Sequence, residues 1–197
     1  MDLVTGILQL HAAMHARELT GQAYRAQGVF DLDDGRMRLR PGTGLNSLVW
    51  LLWHMARTED AAVNPVVAGR DQVLDDQWMR RMNVSWLIIG TGMTDDEVAE
   101  LSARADVAAV RAYRLAVARR TREVAQALRP EAWDEVLGAE DIRRGGVAGA
   151  FRDWVDGANY PWIGRSRGEQ LANSATLHNA AHVGEAVTLR GLLGLGV

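Results

Sequence analysis

Five histidines, at positions 11, 15, 54, 178 and 182, are the residues whose type and spacing bear most directly on chemistry. Two pairs, His11/His15 and His178/His182, are four residues apart, which places both imidazoles of a pair on one face of a helix, where they can grip one ion. The chain has no cysteine, and all 22 of its basic residues are arginine. Thiolate ligands, disulfides, a cysteine nucleophile and a lysine Schiff base are therefore excluded together.

The second pair lies in TLHNAAHVGEAVTLRGLLG. At helical spacing, Leu171, Ser174, Ala175, His178, His182, Glu185 and Leu189 form one stripe, which predicts that both histidines point into the core. Buried imidazoles need partners. Gly184 costs about 1 kcal/mol relative to alanine inside a helix, and this predicts a close approach to the backbone there. An open metal site needs a third ligand from another helix. His54 is the candidate, because in WLLWHMARTED it is the lone polar group after the apolar run from Leu48 to Trp53. The alternative for His54 is a core histidine bonded to a backbone carbonyl.

Two charged residues stand one turn from these ligands. Glu185 follows His182 and is a candidate catalytic residue, either as acceptor for an imidazole N–H or as proton acceptor for a substrate. Arg57 follows His54 and is the other catalytic candidate, facing the anionic part of a substrate or else pairing with Glu59 or Asp60. His11 and His15 make a rival pair, but they follow the apolar stripe of their helix poorly, which predicts that at least one lies near the surface. Trp50, Trp53, Trp154 and Trp162 could wall a pocket beside the metal.

Four long helices must position these groups. The first is expected at about 3–26, on the stripe Leu3, Ile7, Leu10, Met14, Leu19 and Tyr24. A loop follows through DLDDGR and RPGTG. The second helix starts near Leu45 and runs to Pro65 and Gly69; it is apolar on most sides and should be central. Residues 71–92 read as a short helix and an irregular connection, with a possible strand from Val84 to Ile89. Thr94 before Asp95, Asp96 and Glu97 is a capping signal. The third helix is placed at 105–128 and the fourth at 168–193, ended by Gly191 and Gly194. Between them, 131–167 is irregular, with short helices around Trp133 and Phe151. The expected fold is all-α, a four-helix bundle with long crossover loops in one domain over 1–197.

One histidine on the second helix after an apolar run, then HxxxHxG on the last helix with an arginine six residues beyond the glycine, resembles the DinB/YfiT-like family. Here these are His54, His178, His182, Gly184 and Arg190. The resemblance implies a DinB-like four-helix bundle, with a divalent metal at one end of its core on the three histidines and its other positions left to water or substrate. Several members look like thiol-dependent S-transferases that use bacillithiol or mycothiol; a similar enzyme is a mycothiol-dependent maleylpyruvate isomerase. That isomerase pattern has Glu at one of the paired last-helix positions, whereas this chain has His at both, so isomerase activity is not implied.

Composition narrows the class further. The hydrophobic fraction of 48%, charged fraction of 24% and net charge of −3 describe an ordinary globular chain without a basic stripe, so nucleic acid is not an expected partner. The start, MDLVTGILQLHAAMHARELTG, lacks the basic, apolar pattern of a signal peptide, and no apolar stretch approaches the roughly 20 residues of a membrane span. A cytoplasmic setting is expected, with a small-molecule substrate, a low-molecular-weight thiol as co-substrate and a homodimer as candidate partners. A hydrolase or lyase using metal-activated water, and a non-catalytic metal-binding protein linked to stress, are the alternative functions. Three imidazoles with open positions suit zinc or nickel, and also iron or manganese.

Overall fold

A computed structural model describes residues 2–15, 17–19, 25–147, 149–152 and 160–196. Four helices form the bundle: α1 (Leu3–Met14), α2 (Leu48–Ala61), α3 (Val107–Ala127) and α4 (His178–Leu192). The expected all-α architecture holds. Among the described residues there is no strand, only an isolated bridge between Val136 and Ser166. Val84–Ile89 is accordingly irregular, its end pinned by the Ile89 amide bonding the Ala150 carbonyl at 2.9 Å.

The helix α2 is central, as its apolar sequence predicts. All fourteen of its residues are buried. It starts at Ser47, whose hydroxyl accepts from the Trp50 amide and shares a 2.7 Å hydrogen bond with Ser102. Beyond Ala61 it continues as a π-helical segment, Ala62–Ala68, which accommodates Pro65 and closes at Gly69 with φ 62°. Proline lacks the amide that a regular helix would use there, and a wider turn is the local remedy. Ahead of α3 the helix Asp95–Arg104 carries a full capping box, Thr94 with Glu97, at the predicted place.

Other expectations need correction. The first helix is shorter than 3–26, because it ends at Met14 with His15 as its cap. Tyr24, placed on its stripe, lies outside the described residues. The helix expected around Phe151 sits earlier, at Ala139–Val147. Gly191 does not terminate α4, which runs to Leu192 and ends at Gly194 with φ 68°. No helix among the described residues is long and apolar enough to cross a membrane.

The approach to α4 departs most from a plain helix. A capped helix, Arg167–Ala172, passes into a π-helical segment, Asn173–Leu177, before α4 begins at His178. A π-turn holds one more residue than an α-turn, so every later side chain is swung round the axis by about 100°. Upstream, Leu171 and Ala175 face the core; downstream, Asn179, Ala186, Leu189 and Arg190 do. The buried face is therefore displaced by one residue at Asn179, Ala186 and Arg190, while Leu189 of the predicted stripe stays buried. His178 and His182 sit at the edge of the core, half-buried, not at its centre.

Candidate metal centre

The three histidines meet where α2 and α4 face each other. Their ligand nitrogens lie within 4.8 Å of one another. His54 is 6% exposed, and its Nδ1 lies 2.5 Å from the carbonyl oxygen of Ile89. A carbonyl only accepts, so Nδ1 carries the proton and Nε2 is left with its lone pair. This is the carbonyl bond weighed in the sequence, and here it orients a ligand as such partners do. The ring is held flat against Trp50, with centroids 4.8 Å apart and planes 15° from parallel.

His178 Nε2 approaches His54 Nε2 at 3.2 Å. Two nitrogens about 2.0–2.1 Å from one tetrahedral ion stand roughly 3.3 Å apart. His182 completes the group, its ring edge-on to His54 at 4.8 Å. Its Nδ1 donates to Glu185 Oε2 at 2.8 Å, which turns Nε2 toward the other two. The residues therefore fit a metal ion: two imidazoles have their outer nitrogens engaged, and the inner nitrogens converge. His178 Nδ1 is buried with no partner among the described residues.

Burial keeps His54 and His178 neutral. Burial, and then the neighbouring His178 and His182, push the His54 pKa down from 6.5 to about 3. Burial, followed by His182, lowers that of His178 to about 4. Glu185 is held below the ordinary carboxylate range, chiefly by the His182 hydrogen bond and also by the Asn46 amide at 2.8 Å. Glu185 is thus placed for the first of its two expected roles, as acceptor for an imidazole N–H.

Gly184 is not the close approach that its position suggests, since nothing lies within 4 Å of where its Cβ would be. Gly90 has that property. With φ 102°, its Cβ would stand 2.9 Å from Trp53 and 3.1 Å from both His54 Nδ1 and Trp50. Only glycine lets the chain turn there and aim the Ile89 carbonyl at His54.

Arg57 does not face a substrate. Its side chain is fully buried. The guanidinium donates to Gln72 at 2.7 Å, Tyr113 at 3.0 Å, Asp60 at 3.4 Å and the Leu87 carbonyl. It pairs with Asp60, the other outcome open in the sequence. Arg190 likewise serves the frame, donating to the carbonyls of Gly28, Val29 and Gly196.

His11 and His15 are both buried, at 0% and 7% exposure, against the expectation that one reaches the surface. The cause is Glu59, which draws both rings inward: His11 Nε2 lies 2.9 Å from Oε1 and His15 Nε2 lies 2.6 Å from Oε2. These three make a second group whose atoms are close enough for a metal ion. Of the four tryptophans, Trp50 lies against the triad and Trp53 is fully buried beside it. Trp162 packs instead with Ala62, Val66, Leu137 and Ile142, and Trp154 lies outside the described residues.

The sequence model described as the DinB superfamily matches residues 14–186. The chain belongs to the DinB superfamily. A solved structure, described as the crystal structure of the conserved protein of locus from Enterococcus faecalis, superimposes with a TM-score of 0.65 over 97% of this chain and 99% of that one, at 16% identity. At that identity the likeness concerns the fold alone. No curated protein matches the sequence.

Proposed function

We propose that this DinB-superfamily protein is a metal-dependent enzyme, a transferase that joins a low-molecular-weight thiol of the mycothiol or bacillithiol type to small electrophiles. The observation that carries the reading is the convergence of His54, His178 and His182, whose outer nitrogens on His54 and His182 are already bonded. A divalent ion on three neutral imidazoles would keep its charge and lower the pKa of a thiol or water that reached it. Zinc and nickel suit this donor set best, with iron and manganese as further candidates.

Glu185 favours a thiol over water. Bonded to His182 and Asn46 and held below the ordinary carboxylate range, it is a weak base. A site without a strong base suits a nucleophile that is acidic from the start. A thiol, at about 8.5, needs its pKa lowered far less than water, at about 15.7. The absence of cysteine fits a sulfur that arrives with the co-substrate.

The test is a cobalt-substituted protein titrated with mycothiol, bacillithiol and glutathione. A new sulfur-to-metal absorption band, with thiol-dependent consumption of an electrophile, is the expected result. Hydrolysis that proceeds without any thiol would replace this reading with the metal-activated water alternative.

A further inference from the structure

Behind the triad lies a buried polar knot to which each helix of the bundle contributes. Glu59 of α2 accepts from His11 of α1, from His15 at the cap of that helix and, at 3.0 Å, from the Asn179 amide of α4. Arg114 of α3 donates to Asn179 Oδ1 at 3.3 Å and to the Met14 carbonyl at 2.7 Å. Burial pushes the Glu59 carboxyl up, but His15 and His11 beside it outweigh this and hold it well below its ordinary value. Burial takes His15 down to about 3. An ionised Glu59 therefore accepts from an N–H of each imidazole, and Arg114 balances its charge.

Asn179 is the residue after His178, and its amide also reaches the carbonyls of Ser174 and Ala175, at 3.1 and 3.2 Å. Those carbonyls belong to the π-helical segment Asn173–Leu177. One side chain thus joins the π-turn to Glu59, five residues along the helix from His54. A continuous α-helix from Leu171 would put His178 and His182 in the middle of the core and turn Asn179 away from Glu59. The π-turn instead brings Asn179 to the knot and leaves the two histidines at the core edge, where they meet His54 and remain accessible.

We infer that Glu59 and Asn179 are positioning residues for the metal centre: they hold the π-turn that sets the rotation of His178 and His182 toward His54. This rests on the reading that the triad holds a metal. The knot itself is assigned no ion, because the separations of 2.6 and 2.9 Å are those of hydrogen bonds. A divalent cation beside Arg114 would also leave buried charge uncompensated.

The experiment compares Asn179→Ala and Glu59→Gln with Ile142→Ala, a cavity variant in the separate cluster around Trp162. Affinity for Co2+, measured by competition against a chelator, and the ligand-field spectrum of the bound ion are read in proteins shown to be folded by circular dichroism. The two knot variants are expected to lose about ten-fold or more in affinity and to change the spectrum, whereas Ile142→Ala changes neither. Wild-type affinity and spectrum in both knot variants would overturn the inference. So would a second bound ion that is lost in His15→Ala. A crystal structure of metal-free Asn179→Ala separates this inference from the metal reading: 173–177 relaxed to an α-turn supports it, and an intact π-turn overturns it, whether or not the triad binds metal.

Discussion

His54 and His178 present their Nε2 atoms to each other at 3.2 Å, while the Nδ1 of His54 is tied to the Ile89 carbonyl. One end of the His54 ring is thus fixed and the other is free to bind. The arrangement depends on a glycine in a loop, on a wider turn ahead of the last helix and on a carboxylate that holds His182, and each of these dependences can be measured.

Gly90→Ala should weaken both the fold and the metal site. The new Cβ would meet Trp53, Trp50 and His54 Nδ1 at 2.9–3.1 Å, at φ 102°. The strain is worth about 1–3 kcal/mol. Thermal unfolding of the metal-free protein should move to lower temperature, and the metal affinity should fall with it. Unchanged values in both would refute a role for Gly90 in placing the Ile89 carbonyl.

Glu185→Gln should reduce metal affinity without abolishing binding. The amide can keep one contact to His182, but the charge that favours donation from Nδ1 is lost. Changes of this kind cost roughly 10–100-fold in affinity. If instead affinity is kept and only turnover disappears, Glu185 acts as a base on the substrate.

Arg57→Leu tests the buried network below the triad. Removing one partner of a buried ion pair typically costs about 3–5 kcal/mol, here by leaving Asp60 with Tyr113, Asn64 and backbone amides alone. A fall of roughly 10 °C in the melting temperature follows for a chain of this size. Metal stoichiometry at low temperature should be unchanged, and a selective loss of metal or substrate binding would return Arg57 to the site.

Acid should destabilise the metal-free protein from pH 6.5 downward. His15 and His54 are held near 3 and His178 near 4 in the folded state, while in the unfolded chain each returns to about 6.5. Below 6.5 the unfolded chain binds more protons, so stability present at neutral pH is lost as pH falls, each imidazole contributing at most about 1.4 kcal/mol per pH unit. Below about 4.5, the ordinary value for glutamate, Glu59 adds to the loss in the same direction. Denaturant melts with chelator at pH 7, 5.5 and 4.5 read this directly, and constant stability across the series would contradict it.

Much of the triad was legible in the chain itself. With only five histidines and an i, i+4 pair on the last helix, His54 was the natural third ligand, and the apolar run before it marked a central helix. The capping box at Thr94 is local chemistry, and local chemistry reads well. The π-turn could not be read, because α-periodicity continues unbroken through Leu171, Ala175, His178 and His182; the turn is held by Asn179 reaching Glu59, a contact 120 residues apart in sequence. The burial of His11 and His15 depends on the same carboxylate, whose own helix shows no sign of it. Gly90 was hidden for a similar reason, since its positive φ matters only because two tryptophans and His54 crowd it. Gly184, which looked significant on helix propensity alone, faces open space.

The most direct test is the metal content of untagged protein and of its His182→Ala variant, measured by elemental analysis after reconstitution with zinc and removal of excess ion. One ion per wild-type chain, and little in the variant, is the expected result. Metal-free wild type, or one ion retained equally by both proteins, would contradict the assignment of His54, His178 and His182 as the site.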